Sequence, residues 1–105
     1  MENYLRLKDG SIVRGIDFTD LKIFSLIAKI LKDKDEKEYL IVRYQDIVRN
    51  TGIDIDENEL FARLQKLVNE NLLKSEKVSV NINGKVRSYL GFKLSVRGRQ
   101  LLNSI

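Results

Sequence analysis

The stretch Val78-Ser79-Val80-Asn81-Ile82-Asn83-Gly84-Lys85-Val86 leaves this chain little choice of local structure. Val78, Val80 and Ile82 recur at every second position, the period of a strand with one apolar face. Asn83-Gly84 then supplies two adjacent residues that tolerate positive φ, as a two-residue hairpin turn requires at its centre. Val86 begins the return strand. A turn at this place sets Val80 opposite Arg87 and Val78 opposite Tyr89. Val78, Val80 and Ile82 then lie on a face with no obvious core above it, so the N-terminal segment or a second subunit is expected to cover them.

Charge is distributed unevenly about the same hairpin. Residues 78–105 hold five basic side chains (Lys85, Arg87, Lys93, Arg97 and Arg99) and no acidic one, whereas residues 1–77 hold 14 basic and 15 acidic. The net charge of +4 therefore sits at the end of the chain. A cationic segment on a near-neutral body points to a polyanionic partner. Charges that keep an exposed strand from pairing with other chains are the competing explanation.

The chain has neither cysteine nor histidine. That removes disulfides, thiolate zinc sites, Ser-His and Cys-His nucleophile systems and the commonest general base. No enzyme, cofactor or metal site is expected, and no small-molecule effector. The only carboxylate cluster that could hold a nuclease metal, Asp54 to Glu59, is better explained by helix capping. No run reaches the ~18 apolar residues of a membrane span, and the start lacks a signal-peptide core. The expected location is the cytoplasm.

At 105 residues the chain is long enough for one core and one domain. Residues 1–16 read as an N-terminal arm or hairpin, with Asp9-Gly10 as a turn. From Asp17 or Thr19 as cap, a helix runs with Leu21, Ile23, Phe24, Leu26, Ile27, Ala28, Ile30 and Leu31 apolar, a sector wide enough for a central helix or a subunit interface. Tyr39 to Val42 form a brief strand. Residues 43–53 suggest a short helix with Ile47 and Val48 inward, stopped at Gly52. Asp56 and Glu59 have capping-box spacing ahead of a helix with Leu60, Leu64 and Leu67 inward and Phe61 and Val68 flanking. After the hairpin, Ser95 caps a short closing helix.

This order resembles the winged helix-turn-helix domain of small regulators in the broad MarR, PadR and ArsR style, over about residues 17–102. Three stretches carry the likeness: "YQDIVRNTGI", "LFARLQKLVNENLLKSE", with Asn71 where glycine is usual, and "FKLSVRGRQLL". The resemblance implies an α+β, mostly α fold over residues 17–105: a three-helix core, a short strand, a two-stranded wing and a short closing helix. It further implies sequence-specific or semi-specific binding of double-stranded DNA by a transcriptional regulator. A homodimer is expected, because two half-sites multiply weak contacts.

On a helical wheel, Asn58, Gln65 and Lys66 lie opposite the leucines, with Arg63 on the flank. In a major groove Asn58, Gln65 and Lys66 would reach base edges or phosphates, with Arg63 nearest the backbone. Lys85 and Arg87, just past the turn, would reach an adjacent minor groove, and Lys93, Arg97 and Arg99 would serve phosphates. Asp54, Asp56, Glu57 and Glu59 crowd the helix start that would face phosphate. That favours the alternative reading, a winged-helix protein-protein interaction module within a larger assembly.

Overall fold

The hairpin register follows from its turn as the sequence predicts. In the computed structural model, which describes residues 4–6, 10, 12–34 and 38–104, Val80 pairs with Arg87 and Val78 with Tyr89. Asn83 and Gly84 adopt φ of 52° and 81°, the two positive values that this turn needs.

In chain order the elements are β1 (Tyr4–Arg6), β2 (Ile12–Arg14), α1 (Phe18–Lys32), β3 (Leu40–Ile41), α2 (Tyr44–Thr51), α3 (Glu57–Asn69), β4 (Leu73–Ile82), β5 (Lys85–Leu94) and α4 (Val96–Ser104). The architecture is α+β, with helices outweighing strands. β1 and β2 form an antiparallel pair, and a separate antiparallel sheet has the order β3-β5-β4. Asp9 of the expected first turn lies outside the described residues. No described helix is long and apolar enough to cross a membrane.

α1 begins on a reciprocal capping box: Asp17 accepts from the Asp20 N–H, and the Asp20 side chain accepts from the Asp17 N–H. Its inward face, Ile23, Phe24, Ile27, Ala28 and Leu31, is buried at helical spacing. α2 ends at Gly52, whose φ of +69° closes the helix. The Tyr44 hydroxyl donates to the Ile55 carbonyl, tying the start of α2 to the segment that leads into α3. Asp56 caps α3 through the Glu59 N–H, and Leu60, Leu64 and Leu67 face the core. The reciprocal half of that box is not made, because the Glu59 carboxylate is taken by Arg63.

α3 closes with Asn71 in the left-handed region (φ 60°). The Asn71 N–H bonds the Val68 carbonyl and the Leu72 N–H the Leu67 carbonyl, the paired pattern of a Schellman end. Ser95 locks the closing helix onto this junction. Its hydroxyl donates to the Asn71 carbonyl and accepts from the Gly98 N–H. Gly98 must be glycine here, since a Cβ would lie 2.0 Å from the Leu72 carbonyl oxygen.

The core draws on every helix, and Val13 and Ile16 are fully part of it. β2 and the residue that leads into α1 are therefore packed into the body. The β4–β5 hairpin, in its outer half, is not. Leu73, Phe92 and Leu94 at its base are buried, but Ile82 and Val86 near its tip are exposed. A radius of gyration of 14.2 Å, against about 13 Å for a compact chain of this length, reflects that projection.

Candidate nucleic-acid interface

Of the four basic or amide side chains proposed on α3, two face solvent and two are absorbed into the domain. Asn58 and Gln65 are exposed, and Gln65 donates to Asn69 one turn on. Arg63 instead lies across the start of α1. Its Nη1 is 2.9 and 2.8 Å from the two Asp17 carboxylate oxygens and 2.9 Å from Asp20 Oδ1. Its Nη2 and Nε donate to Glu59 at 3.0 and 3.3 Å. Lys66 pairs with the other Asp20 oxygen.

The reason is Asp20, which is 0% exposed. A carboxylate removed from water needs compensating charge, and two cations of α3 supply it. Partial burial works to raise the pKa of Asp17, but the Arg63 hydrogen bond, the Asp20 N–H and the Arg63 and Lys66 charges together hold it below its ordinary value. Arg63 is driven above its ordinary value by its bonds to Asp17, then Asp20 and Glu59, against the opposing effect of desolvation. Arg63 and Lys66 thus tie α3 to α1.

The hairpin has two different faces. Residues paired across an antiparallel ladder point the same way, so Lys85, Arg87, Tyr89 and Lys93 share a face with Ile82, Val80, Val78 and Lys74. Phe92 and Leu94 lie on the other face and enter the core. Lys85 and Arg87 are exposed. Lys93 sits over the Tyr39 ring, 4.3 Å from its centre. Tyr39 and Val78 close over Gly91, where a Cβ would lie 2.8 Å from an atom of each. The hydrogen bond to Glu76 raises the Tyr39 pKa, helped by desolvation and the Glu76 charge.

Arg97 donates to the Ile12 carbonyl at 2.7 Å, with its Nε buried, and so fastens α4 to β2. Arg99 is partly buried on α4. Of the five basic residues in the C-terminal segment, Lys85 and Arg87 are the two that project outward near the hairpin tip.

A cleft of about 380 Å³ opens where the chain leaves β3 for α2, bounded by Arg43, Tyr44 and Gln45, by Glu57 and Phe61 of α3, and by Ser88 and Leu90 of β5. α2 starts without a side-chain cap. Arg43 and Gln45, both exposed, are the polar residues here that sequence reasoning passed over. Their position at a strand-to-helix junction was the available signal. The chain matches no protein-family model, no curated protein and no solved structure.

Proposed function

We propose that this chain is a winged helix-turn-helix protein that binds double-stranded DNA as a homodimer and acts as a transcriptional regulator. The element order α1-β3-α2-α3-β4-β5-α4, the sheet order β3-β5-β4 and the left-handed Gly52 between α2 and α3 support that fold reading. In it β4 and β5 are the wing and α3 is the recognition helix.

The observation that carries the DNA reading is the outer half of the hairpin. It projects from the body, presents Lys85 and Arg87 outward, and has no acidic residue from Lys77 to its far end at Leu94. With Arg63 and Lys66 engaged by Asp20, the wing carries most of the phosphate contact. Arg43 adds a cation at the cleft, and Asn58 and Gln65 offer amides to base edges. Two protomers would bring Lys85, Arg87 and Arg43 to DNA twice, about six phosphate contacts. The logarithm of the affinity should then fall with that of salt at a slope near −5.

Fluorescence anisotropy with a labelled duplex of about 30 base pairs, from about 50 to 200 mM salt, tests this. The reading expects an affinity loss of about a thousandfold over that range. No binding at the low-salt end sinks it.

The interaction-module reading has one observation in its favour. Asp54 and Glu57 are exposed at the start of α3 and stand uncompensated by Arg63 or Lys66. A protein complex insensitive to salt, in place of DNA binding, would establish it.

A further inference from the structure

The two edges of the hairpin are not equally protected. β4 is an outer strand of the sheet. It runs ten residues in unbroken register with β5, with no proline and no bulge. Exposed edges are ordinarily blunted by charge, proline, a bulge or brevity. The base half of β4 carries Lys74, Glu76 and Lys77, but Val78-Ser79-Val80-Asn81-Ile82 carries no charge at all. β5 places Lys85 and Arg87 along the corresponding stretch. A two-stranded ribbon exposed on both faces is also marginal in water by itself.

We propose that a second copy of this chain adds to the open edge of β4, pairing Val78–Ile82 antiparallel with the same five residues about a two-fold axis at Val80. The inference rests on the dimeric part of the reading above and assigns that dimer its interface. Backbone geometry selects which residues bond outward. A two-residue turn makes Ile82–Lys85 a hydrogen-bonded pair, and alternation turns the backbone groups of Val78, Val80 and Ile82 toward β5. Those of Ser79 and Asn81 point to the free edge. In the proposed register Ser79 meets the partner's Asn81, so the outward groups of each satisfy the other.

The side chains agree with that register. Val78 stands opposite the partner's Ile82, Val80 opposite the partner's Val80, and Ile82 opposite the partner's Val78. Six apolar side chains form one stripe, and Ser79 and Asn81 meet on the other face. No charged residue faces a like charge. A register centred on Val78 would instead set Lys74 against the partner's Ile82 and Glu76 against the partner's Val80. The four-stranded sheet so formed gathers Lys85 and Arg87 of both copies on one face, with the two Arg87 residues three strand spacings, about 14 Å, apart.

The absence of cysteine makes the test direct. Residues facing each other at a non-hydrogen-bonded antiparallel position are about 4.5 Å apart at Cα, within disulfide range. The full chain carrying Val80→Cys, treated with a mild oxidant in the absence of DNA, should form a disulfide dimer at least tenfold faster than Val86→Cys. Val86 is the more exposed residue and serves as the collisional control. Val78→Cys mixed with Ile82→Cys should cross-link to each other, and wild-type protein should sediment with a concentration-dependent dimer fraction that Val80→Lys abolishes. Equal or slower cross-linking of Val80→Cys overturns the interface, as does a sedimenting dimer indifferent to Val80→Lys. Whether DNA is bound at all is decided by anisotropy independently of either outcome; only the number of contacts in the salt slope, which counts two protomers, depends on the dimer.

Discussion

Replacing Arg63 separates a structural cation from a DNA contact. Asp20 is fully buried and is compensated by the Asp17 N–H, Arg63 and Lys66. Arg63→Met keeps much of the aliphatic stem and removes the guanidinium. Breaking a buried ion pair costs about 3–5 kcal/mol, because the remaining charge is stranded. Lys66 stays, which places the cost near the lower end, at about 3 kcal/mol. Asp17 and Glu59 are 40% and 45% exposed at their side chains; they can rehydrate and add little. A loss of that size lowers the Tm of a domain of this length by roughly 12–20 °C without unfolding it at 25 °C. Urea denaturation followed by circular dichroism measures the cost. Asp20→Asn in the same background removes the stranded charge, so the double variant should fall short of the summed single effects by about 2 kcal/mol. Stability within about 1 kcal/mol of wild type for Arg63→Met, combined with a DNA salt slope shallower by about two contacts per dimer, would return Arg63 to the phosphate backbone.

Further outcomes follow from single positions. Gly98→Ala drives a Cβ against the Leu72 carbonyl and should cost about 3 kcal/mol by the same denaturation assay. Asn71→Ala places a β-carbon at φ 60° and should cost about 1 kcal/mol, whereas Asn71→Gly should be neutral or better. Asp17 has a folded-state pKa below its ordinary 3.8. It therefore contributes stability that is fully present above about pH 4 and is lost as pH falls through the folded value. Asp17→Asn should be less stable at neutral pH and show a flatter decline between about pH 4 and 2 in acid titrations monitored by circular dichroism.

The parts of the fold readable from sequence are those set by neighbours along the chain. Asn83-Gly84 dictates one turn type, and that turn dictates ten residue pairs of register. Asp17, Asp56 and Ser95 are legible as caps because each bonds an N–H three residues on. Asn71 shows its left-handed role through its place after the last leucines of α3. What escaped is long-range. A helical wheel puts Arg63 on a flank but does not reveal that Asp17 and Asp20, 46 and 43 positions away, fold beneath it. The spacing of two aspartates around Phe18-Thr19 was a hint of a capping box, but not that its second member would be buried and require cations from α3. Arg97 looked like surplus charge, yet it holds the Ile12 carbonyl across 85 positions. Residues 1–16 read as an arm or a hairpin, but too few apolar residues surround Val13 and Ile16 locally to announce their place in the core. Local chemistry specified the elements, and burial reassigned several of the charges.

In the proposed DNA complex the hairpin tip, rather than the basic residues of α3, grips the phosphate backbone. The most direct test compares the anisotropy salt slopes of wild type and Lys85→Ala/Arg87→Ala on one duplex. The double variant should keep its thermal stability, because both side chains are exposed, and its slope should drop from near −5 to about −2 as four contacts per dimer are lost. An unchanged slope in a variant that still binds would place the phosphate contact elsewhere than the hairpin tip.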